Sequence, residues 1–196
     1  MKKTILFCAL LLITVLCVRA AVDLKTTAEE KQYATYTGYD EMVSFLNRLQ
    51  ALDSRLKVLA VGKTLENASE ERVGRDILCC VISDPKRAGD KITVQIQAAP
   101  HGNEQSGVDA VQKLLAQIVA GKLDFLLERM DLVVFPQINP FGNENDVRVN
   151  EQGLDMNRDH SKLETPGAEA MHRVFASLFP EVTFDVVLAD PAHVPD

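Results

Sequence analysis

What this sequence lacks narrows it first. It has no long basic run, and 21 lysines and arginines stand against 28 aspartates and glutamates, for a formal net charge of −7. A face that binds phosphate backbones needs clustered positive charge, so nucleic acid is excluded as a partner. Cysteine is scarce, with 4 residues. Cys8 and Cys17 sit in an N-terminal apolar run, while Cys79 and Cys80 are neighbours in a second apolar stretch. Successive strand residues face opposite ways and a disulfide needs side chains that converge, so Cys79 and Cys80 are expected to be two buried free thiols. A bilayer-spanning run is missing too. Ile5 to Val18 carries no charge, but it is shorter than the roughly 20 residues a membrane helix needs.

That N-terminal run has another use. Lys2 and Lys3 precede it, and Arg19-Ala20-Ala21 follows with small residues where a signal peptidase cuts. Basic start, apolar middle and small-residue end make residues 1–20 a secretory signal, and the chain is expected to be secreted or periplasmic. Bulky Leu16 before Cys17 disfavours a lipid anchor, and no membrane partner is expected after cleavage. Removing Lys2, Lys3 and Arg19 leaves 18 basic against 28 acidic residues, a charge of −10 on a mature chain of 176 residues. That length suffices for one domain with a core of its own.

Along the mature chain, residues 21–32 read as a polar, loose leader. A helical stripe follows at Met42, Val43, Phe45, Leu46, Leu49 and Leu52. Strands are predicted at 56–61, 75–83, 91–98, 131–138 and 182–188, with a glycosylation sequon, Asn67-Ala68-Ser69, between the first two. A helix is predicted over 107–120, and a second starts at Pro166 with Thr165 as its cap. Residues 143–158 read as a long polar loop, and 189–196 as a proline-flanked tail. Helices alternating with apolar strands imply an α/β domain over 33–188, built on a mixed, largely parallel sheet with flanking helices. Such sheets hold ligands beyond the carboxyl ends of their strands.

Two sites fall there. His101 and Glu104 are three residues apart just after the 91–98 strand, so one turn of chain brings an imidazole and a carboxylate together. Zn²⁺ accepts that mixture of nitrogen and oxygen ligands. Alone, His-x-x-Glu is more often a surface pair. The second site is Asn139-Pro140-Phe141-Gly142, then Arg148, then Gly153-Leu154-Asp155-Met156-Asn157-Arg158. Arginine forks hold carboxylates in bidentate fashion, although alone this segment reads as a solvated loop. His160 and His172 match no motif, and His172 is expected to be an exposed or satisfied side chain on its helix.

In this order and context the motifs resemble the zinc carboxypeptidase family, from about Tyr33 to Asp185. Val61-Gly62-Lys63-Thr64 and Gly74-Arg75-Asp76-Ile77 resemble that family's approach to its second strand. The resemblance implies a zinc carboxypeptidase-like (phosphorylase/hydrolase-like) fold and one Zn²⁺ held by His101 and Glu104. It implies Arg148 as the group that polarises the scissile carbonyl, and Asn157 with Arg158 as the grip on a substrate's terminal carboxylate. The implied partner is a peptide or acyl-amino-acid substrate with a free C-terminal carboxylate. The resemblance also implies a third ligand, a histidine in an Asp-x-His strand, but Val187 stands there after Asp185. His193, six residues on, is a poor substitute in a terminal tail. The family's general-base glutamate and capping tyrosine are expected beyond residue 196. The domain is therefore expected to be incomplete at its C-terminal end and inactive as a 196-residue chain, through a frameshift, an alternative exon or a misread gene end. Two alternatives stand beside it: a non-catalytic secreted module that binds peptide carboxylates, and a related zinc amidohydrolase or deacylase.

Overall fold

Alternating apolar strands bury one side chain in two on each face, so each face of a sheet needs its own cover. Here both covers are helical. The computed structural model describes residues 24–66, 74–87 and 89–187. The expected secretory signal, the Asn67 sequon and the tail containing His193 lie outside the described residues. The elements run α1 (Thr27–Glu30), α2 (Tyr39–Leu52), β1 (Leu56–Lys63), β2 (Asp76–Ile82), β3 (Ile92–Ala98), α3 (Gln105–Val119), β4 (Met130–Phe135), α4 (Pro140–Glu144), α5 (Pro166–Leu178) and β5 (Val182–Val186). Short 3-10 turns occupy Asp124–Glu128 and Met156–Arg158.

The strands form one five-stranded sheet in the order β1-β2-β4-β3-β5. β1–β2 and β2–β4 are antiparallel, whereas β4–β3 and β3–β5 are parallel. The sheet is mixed as expected, but among the described residues only two of its four pairings are parallel. It is therefore half rather than largely parallel, and the parallel half is the one that ends at the candidate site. On one face Met42, Phe45, Leu46 and Leu49 of α2 and Val108, Val111, Leu115 and Ile118 of α3 pack on Cys80, Val94, Ile96, Leu132 and Val134. On the other, Ala170 and Met171 of α5 pack with Ile77, Cys79, Val133 and Phe135. Each fully buried side chain of this kind contributes about 1.5–3 kcal/mol. Cys79 and Cys80 are free and buried, one on each face. Burial pushes the Cys79 thiol up to about 12 and raises that of Cys80 as well.

Two segments are more ordered than the sequence suggests. Within the expected leader, Thr26 and Glu29 cap each other's backbone N–H groups, closing the single turn α1 and burying Ala28. The expected 143–158 loop begins inside α4, whose Pro140 occupies the first turn and whose cap is the Asn139 side chain. No helix among the described residues is long and apolar enough to cross a membrane.

Candidate active site

The end of β3 is turned sharply out of the sheet. Ala99, fully buried, takes a left-handed φ of 53°. Such a conformation is costly for alanine and persists only where the surroundings enforce it. The enforcement comes from the β4–α4 connection. Asn139 Nδ2 donates to the Pro100 and Arg148 carbonyls at 3.3 and 3.4 Å, and its Oδ1 accepts from Gly142 N at 3.0 Å. Asn143 Nδ2 donates to the Gly102 carbonyl at 3.3 Å. The two loops approach so closely that a Cβ on Gly102 would stand 1.9 Å from the Gly142 carbonyl carbon. The Asn-Pro-x-Gly segment is therefore the clamp that holds the His101 turn.

Within this frame His101 is 4 % exposed and the Glu104 side chain 13 % exposed. His101 Nδ1 faces Glu104 Oε1 at 2.9 Å, and His101 Nε2 faces Asp155 Oδ1 at 3.0 Å. Asp155 Oδ1 also accepts from Asn157 N at 2.9 Å, and Oδ2 accepts from Arg148 Nε and a terminal guanidinium nitrogen at 3.1 and 3.0 Å. Partial burial pushes the Asp155 carboxyl up. The Arg148 guanidinium, the Asn157 N–H and His101 outweigh that and hold it below the usual carboxylate range. Asp155 is thus an anion able to accept the Nε2 proton of His101, and in the tautomer that places the proton there the other nitrogen is free. Nδ1 then presents a lone pair to a carboxylate oxygen, a pairing that needs a cation or a proton between the two atoms. Glu104 Oε2, the other oxygen, is buried with no hydrogen-bond partner. An imidazole oriented by a carboxylate on its far nitrogen is the usual arrangement of a metal ligand.

The structure joins His101, Glu104, Asp155 and Arg148 directly. Asn157 is tied in through its backbone, while its Oδ1 faces His160 Nε2 at 3.3 Å. Arg158, exposed on the same turn, donates to the Asn157 carbonyl at 3.0 Å. Val187 lies one residue past β5, following the Ala98–Val186 pair in register, at the same end of the sheet as His101. It is 47 % exposed. Among the described residues, no three histidine, cysteine, aspartate or glutamate side chains converge on a point that could hold a metal. Two donors therefore fit a zinc ion, and the set is short of the three protein ligands that a catalytic zinc keeps. Asp155 escaped the sequence reading. Its only signal was its place two residues before Asn157 in the Gly-Leu-Asp-Met-Asn-Arg motif.

An imidazole–carboxylate pair beyond the parallel strands of an α/β sheet, with an arginine bound to the orienting carboxylate, is the kind of site that metal-dependent hydrolases carry. The chain belongs to the zinc carboxypeptidase family, whose model matches residues 42–178. Over 103 residues it is 33 % identical to Carboxypeptidase 2 of Trichophyton tonsurans, covering 52 % of this chain and 19 % of that protein. Over 98 residues it is 34 % identical to Carboxypeptidase 2 of Trichophyton rubrum, covering 49 % and 18 %. The fold is similar to a metallo-carboxypeptidase from Burkholderia cenocepacia (TM-score 0.66, 23 % identity, 78 % of this chain and 42 % of that one). It is also similar to carboxypeptidase A from Helicoverpa armigera (TM-score 0.69, 18 % identity, 80 % and 46 %). The matched region spans about a fifth of the length of these curated relatives and less than half of these solved chains.

Proposed function

We propose that this chain carries the first part of the active site of a secreted zinc carboxypeptidase that hydrolyses the C-terminal bond of a peptide or acyl-amino acid. The observation that carries the reading is the His101–Glu104 contact of 2.9 Å, with Glu104 Oε2 buried and unpartnered and Asp155 on the far imidazole nitrogen. In this reading His101 Nδ1 and Glu104 hold zinc, which when bound polarises the scissile carbonyl and activates water. Asp155 keeps the proton on Nε2, so that Nδ1 remains a donor atom. Arg148, fixed on Asp155 and half exposed, stabilises charge on the carbonyl oxygen, and Asn157 with Arg158 receives the terminal carboxylate. With Val187 at the third position, the 196-residue chain binds zinc weakly and turns substrate over poorly or not at all.

The test is zinc per chain after dialysis, compared with His101→Ala, together with hydrolysis of an N-acyl dipeptide. Zinc retention that His101→Ala leaves unchanged would overturn the assignment. Val187 also favours a second reading, a secreted module that binds peptide carboxylates without catalysis. Peptide binding that survives chelator and is lost in Arg158→Ala would select that reading. Secretion is tested separately, by sequencing the N-terminus of the exported chain for cleavage after Ala20.

A further inference from the structure

Two histidines without a role in this reading face each other. His160 follows the 3-10 turn Met156–Arg158, and His172 lies on α5. His160 Nδ1 and His172 Nε2 are 3.1 Å apart. On its other side, His160 Nε2 faces the Asn157 amide oxygen at 3.3 Å. An amide oxygen only accepts, so His160 carries its proton on Nε2 and turns a bare lone pair at Nδ1 toward His172. In the metal-free chain His172 Nε2–H donates to that lone pair. A neutral imidazole can instead carry its proton on Nδ1, which leaves a lone pair on His172 Nε2 as well. A small pivot of the two rings lets both lone pairs meet one ion.

Two nitrogens each about 2 Å from a tetrahedral zinc stand roughly 3.3 Å apart, close to the observed separation. The surroundings favour a cation. Asp159, whose carboxyl is held below the usual range, is within electrostatic reach of His160, and so is Asp185, although burial raises the Asp185 carboxyl. The two rings also share a cavity of about 250 Å³ with Gln95, Gln97, Met171, Phe175 and Thr183. Gln95, 1 % exposed, lines this cavity and has an Oε1 with no hydrogen-bond partner, so the wall is polar as well as apolar.

We propose that His160 and His172 form a second, two-imidazole site for a borderline transition-metal cation such as Zn²⁺ or Ni²⁺, separate from His101 and Glu104. The remaining positions are filled by solvent, so the site is open and exchanges its metal readily. It bonds through neutral imidazoles, and no proton need be released. The site stands whether or not His101 and Glu104 hold zinc.

The experiment uses the full chain with His101→Asn and Glu104→Gln, so that the first pair cannot contribute, and adds Zn²⁺ alone while recording imidazole ¹⁵N resonances. The expected result is a shift of both His160 Nδ1 and His172 Nε2, saturating near one ion per chain. Ni²⁺ in equilibrium dialysis is expected to bind at least about tenfold more weakly when His172→Gln is added. A thermal melt of each variant checks folding, and the resonance experiment needs no substitution at either candidate ligand. The proposal is overturned if neither ring responds, if one responds alone, or if His172→Gln binds Ni²⁺ as its parent does.

Discussion

β3 and β5 are neighbours in one parallel ladder, paired from Val94–Val182 to Ala98–Val186, yet they live in different surroundings. Five consecutive residues of β3, from Val94 to Ala98, are buried, whereas β5 is intermediate only at its two ends and exposed between them. Across a single pair, Ile96 is 9 % exposed and Phe184 is 55 % exposed. Backbone pairing is the same on both sides of that contrast, so pairing alone does not make a strand a platform for a site. β3 lies between β4 and β5, and its end is clamped by Asn139, Asn143 and Gly102. His101 and Glu104 rise from that clamped end, whereas position 187 hangs from the thinly covered strand. Metal ligands need placement within about 0.5 Å, and rigid, packed elements supply it.

If the contrast is real, truncation should hurt most where β4 and α5 meet. Phe135→Ala removes a side chain that is 0 % exposed at the end of β4. It is expected to cost about 3–5 kcal/mol in a denaturant melt, because the cavity left behind cannot collapse under α5. A loss below about 1 kcal/mol would mean that this face is looser than its burial implies.

The clamp comes next. Asn139 is 1 % exposed, and Asn139→Ala removes the cap on α4 while leaving Gly142 N and the Pro100 carbonyl without this partner. The cap contributes about 1 kcal/mol, and a buried group left unsatisfied costs about 1–3 more. A loss of about 2–3 kcal/mol is expected, with displaced His101 ring resonances. A variant of unchanged stability whose only defect is in peptide binding would assign Asn139 to the substrate instead.

The third test adds what β5 lacks. Val187→His places an imidazole at the end of the strand beside His101, where register already brings position 187 close. Zinc affinity is expected to rise at least about tenfold, since a third protein ligand completes the set that a catalytic zinc keeps. The measurement is competition against a chromophoric chelator at fixed pH. No gain would show that the strand end is too loosely held for its register to fix a ligand.

Much of this arrangement was legible in the sequence, and the illegible part has a common cause. The α2 stripe from Tyr39 to Leu52, the Thr165 cap before Pro166 and the His-x-x-Glu turn are local patterns, with every partner within a few residues. Asp155 acts on His101, 54 residues away, and spacing cannot announce a pair of that kind. The same holds for Asn139 with Pro100 and for His160 with His172. Strand order was illegible as well. Nothing in the β2 residues says that they run antiparallel to β4, because that choice is made by the connection and by which faces the helices can cover. Composition also hides the order within residues 24–32, because the polar Thr26 and Glu29 cap a helical turn there.

The smallest expected effect is also the one that bears hardest on the contrast. Phe184→Ala trims a large apolar side chain in the middle of β5, opposite Ile96. With more than half of its surface open, it has little burial to lose, and a cross-strand pair contributes only about 0.2–1 kcal/mol. Stability is expected to fall by no more than about 0.5–1 kcal/mol, against about 3–5 kcal/mol for Phe135→Ala. A loss above about 2 kcal/mol would mean that something covers β5 in solution. Position 187 would then stand on a strand as well supported as the one that carries His101, and any weakness in zinc binding would rest with the valine itself rather than with the strand beneath it.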